Sequence, residues 1–282
     1  MRHENSKNWL NLKHDPMTGV ETLHAHFEGH AYDSHWHETY VIGLTESGVQ
    51  QFDCRHKTHN SLEGECFLLE PGEVHNGRAP CEGGFTYRTL YIPQDCLRTQ
   101  ISSLYEQKPD QFELSFNNTL CADKRLAAAT SSAFLSKHLN DPKIVQEGCF
   151  DHMVHALTQH LNWRQKKQAE NGHHLAYRIR DYFHDHMEED ILLQDVAREF
   201  GYDRYQINRA FKNAFHISPH IYLIQLRLAR ARTLLSQGLS ASDVAHQLCF
   251  SDQSHLGRWF KRAYRLTPAA YQKCCTPVPD KV

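Results

Sequence analysis

The stretches AREFGYDRYQINRAFK at 197–212 and AHQLCFSDQSHLGRWFK at 245–261 are two copies of one unit. In the first, Ala197-x3-Gly201-Tyr202 leads to Ile207-x-Arg209-x-Phe211-Lys212 and on to Ser218-Pro219-x-x-Tyr222. In the second, Ala245-x3-Cys249-Phe250 leads to Leu256-x-Arg258-x-Phe260-Lys261 and on to Thr267-Pro268-x-x-Tyr271. The pairs Lys212/Lys261, Pro219/Pro268 and Tyr222/Tyr271 each lie 49 positions apart, with one extra residue before the Leu of the second copy. Self-similarity at a fixed offset marks a duplicated supersecondary unit.

Helical spacing explains what the unit is. In copy one, Leu193, Val196, Ala197 and Phe200 form an apolar stripe. Gly201 stops that helix because glycine readily adopts a left-handed turn. Asp203 is placed to cap a second helix with Ile207, Ala210, Phe211 and Ala214 facing inward. In copy two, Val244, Ala245 and Leu248 come first, Ser251 is the expected cap, and Leu256, Trp259, Phe260 and Ala263 face inward. A helix, a short turn and a second helix make a helix-turn-helix. The second helix of copy one presents Arg204, Tyr205, Gln206, Asn208, Arg209 and Lys212; that of copy two presents Gln253, Ser254, His255, Gly257, Arg258 and Lys261. Gln and Asn pair with adenine edges, Arg with guanine, and Lys and Ser suit phosphates, so these faces suit double-stranded DNA. Between the copies, residues 219–238 are expected to form one long helix with Ile221, Ile224, Leu228, Ala231 and Leu235 inward and Arg227, Arg230 and Arg232 mostly off that face, within reach of phosphates. Such a spacer sets the separation of the two readers.

The 282 residues suit two domains. Residues 1–170 carry 16 Lys+Arg against 22 Asp+Glu, net −6, and residues 191–275 carry 12 against 5, net +7. A basic module behind an acidic one fits a nucleic-acid partner for the C-terminal part. No run approaches the ~18 apolar residues of a membrane span. The opening residues lack the apolar core of a signal peptide. Nine scattered cysteines fit a reducing, cytoplasmic setting.

From about 20 to 93, β-branched and aromatic runs at 39–45 and 85–92 alternate with turn signals at Glu46-Ser47-Gly48, Pro71-Gly72 and Gly83-Gly84, as in an antiparallel barrel or jelly roll. Residues 121–140 and 143–163 are expected to be two helices broken at Asp141-Pro142, and the polar stretch 164–172 a linker. The expected division is residues 1–163, 164–172 and 173–282. The fold class is two-domain α+β: an N-terminal β-barrel with a helical pair, then an all-α domain with two helix-turn-helix units.

Residues 174–275 resemble the DNA-binding domain of the AraC/XylS family of bacterial transcription regulators, on the stretches PHIYLIQLRLARARTLL at 219–235 and FSDQSHLGRWFK at 250–261. Cys249 departs from the family's usual glycine at the inter-helix turn. In the N-terminal half, Gly29-x5-His35-x-His37, Gly48 and Pro71-Gly72-Glu73-Val74-His75 resemble the two cupin motifs and the sensor half of that family. The cupin glutamate would fall at Val41 or Ile42 and is missing; Ala79 replaces the asparagine of the second motif. The resemblance implies a cupin-like sensor that binds a small-molecule effector, dimerisation through the helices at 121–163 to give a homodimer, and transcription activation through RNA polymerase. Candidate effector-binding residues are His35, His37, Tyr40, Glu73, His75 and Arg88, for a small polar metabolite such as an amino acid or a sugar. Three imidazoles from His35, His37 and His75 could instead hold a divalent metal. On the strand at 85–92, Tyr87, Thr89 and Tyr91 share one face and Arg88, Leu90 and Ile92 the other, and the sequence leaves open which is inside. The alternatives are a metal-dependent cupin enzyme fused to a DNA reader, and a constitutive DNA binder with a degenerate barrel. The absence of the cupin glutamate and of any nucleophile–base pair favours a non-enzyme.

Overall fold

The computed structural model describes residues 8–104, 112–165 and 174–275. They fall into two compact units divided between residues 166 and 167. In chain order the first unit holds β1 (Trp9–His14), β2 (Glu21–Phe27), β3 (His30–His35), β4 (Tyr40–Gly48), β5 (Gln50–Cys54), β6 (Lys57–Ser61), β7 (Cys66–Leu69), β8 (His75–Arg78), β9 (Phe85–Ile92), α1 (Gln94–Leu104), β10 (Phe112–Phe116), β11 (Leu120–Cys121), α2 (Lys124–His138), α3 (Lys143–Leu157) and β12 (Leu161–Gln165). A six-stranded antiparallel sheet runs β1-β2-β9-β4-β7-β11, and a four-stranded one runs β3-β8-β5-β6. This is a cupin-like jelly roll whose two sheets are not joined into one closed ring among the described residues.

Strand alternation gives the six-stranded sheet two buried faces. Ala25, Phe27, Val41, Phe67, Phe85 and Tyr87 meet Ala31, Phe52 and Cys54 of the other sheet in one core. Tyr40, Ile42, Leu44, Leu68, Leu90 and Ile92 point the other way, into a second core with Leu97 and Ile101 of α1, Phe134 of α2 and Phe150, Met153 and Leu157 of α3. Both helices at 124–157 therefore pack on the sheet. Asp123 caps α2 by accepting the Arg125 and Leu126 N–H groups.

Three sequence expectations are corrected here. Helix does not continue to residue 163: α3 ends at Leu157, and β12 pairs with β10 from Phe112↔Gln165 to Phe116↔Leu161. That pairing joins segments some 50 residues apart, which local periodicity cannot register, and it places 164 and 165 in a strand, not in a linker; residues 166–172 of the expected linker lie outside the described residues. The Glu46-Ser47-Gly48 signal is not a turn but the bulged end of β4, with a register shift between Thr45 and Ser47. Gly48 sits at φ +75°, and a Cβ there would strike the Gly84 carbonyl.

The second unit holds α4 (His174–His186), α5 (Leu193–Phe200), α6 (Arg204–Phe215), α7 (Pro219–Ser236), α8 (Ala241–Gln247), α9 (Gln253–Tyr264) and α10 (Pro268–Cys275). In α7, Tyr222, Leu223, Ile224, Leu226, Leu228, Ala231, Leu234 and Leu235 are all buried. A helix that is apolar on most sides is an axis enclosed by others. The repeated Ser/Thr-Pro pairs begin α7 and α10: the Ser218 hydroxyl accepts from the Ile221 N–H, the Thr267 hydroxyl from the Ala270 N–H, and each proline sits where no intrahelical N–H is needed.

The core between the sheets is filled by an aromatic ring lying on a glycine: a Cβ at Gly43 would overlap the Phe67 ring, and Phe67 is only 3% exposed. Gly43→Ala should lower the stability of the N-terminal unit by about 1–3 kcal/mol. Combining it with Phe67→Leu should recover part of that loss in a double-mutant cycle read by thermal unfolding; strictly additive effects would contradict this packing.

Candidate functional site

The two helix-turn-helix units are built by the same hydrogen bonds. In the first turn the Gly201 N–H donates to the Arg198 carbonyl at 3.3 Å and the Tyr202 N–H to the Ala197 carbonyl at 3.0 Å. In the second the Cys249 N–H donates to His246 at 3.2 Å and the Phe250 N–H to Ala245 at 2.9 Å. Gly201 has φ +72° and Cys249 φ +54°. Cysteine thus adopts the glycine conformation, at a cost of about 1–2 kcal/mol for a residue with a Cβ. Its thiol donates to the Glu188 carbonyl at 3.2 Å, which offsets part of that cost.

Asp203 caps α6 in a full capping box: its side chain accepts the Gln206 N–H, and the Gln206 side chain accepts the Asp203 N–H. In the second unit the cap is Asp252, not Ser251. The Asp252 carboxylate accepts the His255 N–H at 2.7 Å, while the Ser251 hydroxyl bonds His255 Nδ1 at 2.8 Å. Asp203 and Asp252 stand 49 positions apart, so the true cap keeps the repeat offset.

Ile207, Phe211, Leu256 and Phe260 are buried beneath the two second helices. Trp259 and Ala263, expected inside, are half-buried. Of the twelve predicted DNA-facing residues, Arg204, Tyr205, Gln206, Arg209, Lys212, Gln253, Ser254, Arg258 and Lys261 are exposed, and Asn208, His255 and Gly257 half-buried. Several polar groups are already engaged. Gln206 belongs to the capping box. Asn208 Nδ2 donates to the Arg204 carbonyl at 2.9 Å. His255 Nε2 accepts from Trp259 Nε1 at 2.9 Å. These contacts leave Arg204, Tyr205 (84% exposed), Arg209, Lys212, Gln253, Ser254, Arg258 and Lys261 as the outward chemistry. A Cβ at Gly257 would meet no atom within 4 Å. Glycine inside a helix costs roughly 0.5–1 kcal/mol against alanine, and here no internal packing requires it.

The arginines of α7 correct a sequence expectation. Arg227 is 6% exposed and does not reach toward phosphates. Its guanidinium donates to the Met187 carbonyl at 2.9 Å, the Glu189 carbonyl at 2.6 Å and the Cys249 carbonyl at 3.4 Å. These carbonyls lie just past the C-termini of α4 and α8, where backbone acceptors have no helical partner. Burial pulls the Arg227 pKa down, yet a guanidinium stays charged. Arg232 stacks on Tyr264 and Tyr271, at 4.9 and 5.4 Å from the ring centroids. Arg230 is exposed and faces Glu188 at 3.4 Å. Arg227 occupies a stripe position between Ile224 and Ala231, the one sequence signal of its burial.

In the first unit, His35, His37 and His75 converge. Their ligand atoms lie within 4.8 Å of one another, and all three side chains are buried. His35 ends β3 and pairs directly across to His75 at the start of β8. His37 follows in the loop, pinned where the Gly72 N–H donates to the His37 carbonyl at 2.8 Å. His35 Nδ1 donates to the Asp33 carbonyl at 2.8 Å and His75 Nδ1 to the Glu73 carbonyl at 2.9 Å. A carbonyl only accepts, so both rings carry a proton on Nδ1, and His75, which burial keeps neutral, presents a bare Nε2. The His35 and His37 Nε2 atoms are 3.1 Å apart, and His37 Nδ1 is buried without a hydrogen-bond partner. Burial first, then His35 and His75, hold the His37 pKa well below its ordinary value. Burial and His35 bring His75 down to about 3. Tyr32 meets His35 edge-on and Tyr91 lies tilted against His37, with ring centroids 5.1 Å and 4.8 Å apart respectively. Gln50 donates to the Tyr32 hydroxyl at 2.9 Å, and burial raises the Tyr32 pKa; neither Tyr32 nor Gln50 had a sequence signal.

The other three predicted effector residues do not join them. Tyr87 and Tyr91 pack in the core between the sheets, so Arg88 lies on the opposite, helix-covered face. There it pairs with Glu46 at 2.5 Å and Ser131 at 3.1 Å. Tyr40 is on that same face and donates to the Leu114 carbonyl at 2.8 Å. Glu73 is bound by Arg55 and accepts the Glu70 N–H at 2.7 Å.

Residues 18–139 match the AraC-like ligand-binding domain family and residues 196–273 a helix-turn-helix domain family. The chain is 30% identical to a probable transcriptional regulator, LumQ of Photobacterium leiognathi, over 91% of this chain and 96% of that one. It is 24% identical to an uncharacterized HTH-type transcriptional regulator, YbfI of Bacillus subtilis, over 87% and 88%. Among solved structures, unsaturated fatty acid bound ToxT from Vibrio cholerae shares the fold, with a TM-score of 0.52 and 11% identity over 100% of both chains.

Replacing Arg227 by methionine should keep the apolar packing but leave the three carbonyls unsatisfied. Thermal unfolding of the C-terminal transition should then show a loss of about 2–4 kcal/mol. An unchanged melting temperature would show that these helix ends do not need the guanidinium.

Proposed function

The chain belongs to the AraC/XylS family of transcriptional regulators, with a ligand-binding N-terminal unit and a DNA-binding helix-turn-helix unit; on that premise we propose that α6 and α9 read two successive major-groove segments of one bipartite DNA site. The observation that carries this reading is the pair of matched turns and Asp-capped helices set on the single axis of α7. Successive major grooves on one face of DNA are about 34 Å apart, so a rigid spacer converts two weak readers into one site with a fixed register. Arg209 and Arg258 occupy equivalent exposed positions for base contact, and Lys212 and Lys261 suit phosphates.

The rest of the proposal concerns control. The N-terminal unit binds a small polar effector, of the amino-acid or sugar class, beside His35, His37 and His75. Two copies associate through the corner of α2 and α3, where Leu139 and Ile144 are 66% and 79% exposed. The regulator activates transcription through RNA polymerase in the cytoplasm, and the unit senses but does not turn over its ligand. Effector binding acts by favouring one arrangement of the DNA-reading units over another.

Arg209→Ala and Arg258→Ala should each weaken operator binding by about 1–3 kcal/mol, or roughly five- to a hundred-fold. Unaltered affinity in both would remove them as base readers. Gly257→Ala should act with opposite signs: about 0.5–1 kcal/mol more helix stability, and weaker DNA binding if the glycine exists to let the DNA approach. A variant that is more stable and binds DNA equally well would show that the open space at Gly257 has no partner.

A further inference from the structure

We propose that Cys121 is a hydroperoxide-reactive thiol, with His160 as its base and Asp123 orienting that base, and that Cys66 resolves the oxidised sulfur as a disulfide. Cys121 ends β11, the two-residue edge strand of the six-stranded sheet. His160 lies in the turn between α3 and β12, where its carbonyl accepts the Asn117 N–H at 2.9 Å. Cys121 and His160 are 39 positions apart, so no sequence signal joins them; the pairing of β10 with β12 brings the turn alongside. Asp123 caps α2 through Oδ1, and its Oδ2 accepts from His160 Nε2 at 3.0 Å. The His160 bond, with the capped N–H groups, holds the Asp123 carboxyl below its ordinary pKa, and an ionised carboxylate only accepts. In the neutral ring Nδ1 is then the acceptor, and it lies 3.4 Å from the Cys121 sulfur. Nucleophile, base and orienting carboxylate thus stand in the order that activates a thiol. Burial pushes the Cys121 thiol up, while the Asp123 N–H beside the sulfur works the other way. The proton therefore rests on sulfur and passes to His160 as the sulfur attacks.

The second thiol is supplied by register. Cys66 of β7 is the direct partner of Cys121 across the antiparallel pair, and both side chains pack on the helix-covered core. Directly opposed residues hold their Cβ atoms about 4.5–5.5 Å apart, and a disulfide needs roughly 3.5–4.5 Å, so a small shift of a short edge strand closes the bond. Cys66 is fully buried and Cys121 half-buried, so an oxidant meets Cys121 first. In the first step the Cys121 sulfur attacks one peroxide oxygen; the S–O bond forms and the O–O bond breaks. The thiol proton passes through His160 to the departing oxygen, which leaves as an alcohol, or as water from hydrogen peroxide, and Cys121 becomes a sulfenic acid. In the second step the Cys66 sulfur attacks the Cys121 sulfur; the S–S bond forms, the S–O bond breaks, and the Cys66 proton leaves with the hydroxyl as water. Two thiols are oxidised and one hydroperoxide is reduced. Burial pushes the Cys66 thiol up to about 12, so the second step is the slower one and the sulfenic acid accumulates. None of this rests on the effector proposed for the sensor unit.

The test uses the fully reduced full chain and one equivalent of hydrogen peroxide, with dimedone as the sulfenic-acid trap and peptide mass mapping as the readout. Dimedone should label Cys121 before Cys81, although Cys81 is the more exposed of the two; accessibility alone would rank them the other way. Without the trap, Cys66 and Cys121 should appear in one disulfide-linked peptide pair. Cys66→Ala should stop the reaction at the trapped Cys121 adduct. His160→Gln should slow labelling of Cys121 by about a hundredfold at an unchanged thermal midpoint, and added imidazole should restore part of the rate in His160→Ala, which a purely structural role would not allow. Labelling of Cys81 ahead of Cys121, or an unaltered Cys121 rate in His160→Gln, would overturn the activated thiol. A Cys121 adduct whose disulfide forms with another cysteine would overturn the role of Cys66 and leave the activated thiol standing.

Discussion

The buried guanidinium of Arg227 is the interaction on which the DNA-reading unit depends. A two-helix turn has no core of its own; it must be held by something behind it. Here that support is α7, and the strongest directional contact of α7 is a charge that terminates two other helices at once. The Met187 and Glu189 carbonyls belong to the end of α4, and the Cys249 carbonyl to the turn that launches α9. Moving any one of these elements leaves a charged donor or a carbonyl unpaired out of water, which costs far more than a displaced methyl group. The turn of the second reader is thereby tied to the axis that also carries the first.

The N-terminal unit meets a different constraint. A strand offers two faces, and the six-stranded sheet buries both, one against the second sheet and one against α1, α2 and α3. Tyr40–Thr45 of β4 and Phe85, Tyr87, Thr89, Leu90 and Ile92 of β9 are thus buried on one side or the other, while Ser47 and Gly48 at the bulged end of β4 are exposed. That commitment concentrates polar chemistry in the His cluster, because Arg88 and Tyr40 fall on the helix side by parity alone. The direct pairing of His35 with His75 across β3 and β8 then makes the cluster a product of register, not of sequence proximity.

How much was legible follows from how local each signal is. The helix-turn-helix units were readable because caps, turn glycines and 3.6-residue stripes act within a dozen residues; even Cys249 kept the left-handed turn that its Gly201 counterpart predicts. The two-domain α+β class and the family resemblance rested on the same local patterns, and both agree with the structure and the relatives. Adjacent candidates were harder: Ser251 and Asp252 are both plausible caps, and the structure uses the second. The faces of β9 were legible, but not which was inside, since alternation fixes parity and the other sheet fixes its sense. Strands β10 and β12 and helix α1 went unread because their stability comes from distant partners. Arg227 was misassigned because a cation in an apolar stripe looks like an interruption until the carbonyls that bind it are in view.

The central claim is that two helices held at one separation by α7 read two segments of DNA in a fixed register. The most direct measurement is a hydroxyl-radical footprint of the full chain on its selected operator, repeated after half a helical turn of DNA is inserted between the segments. The account predicts two protected major-groove segments about 10–10.5 base pairs apart, and loss of one of them with a large fall in affinity after the insertion. A single protected segment, or a footprint and affinity indifferent to the spacing, would contradict it.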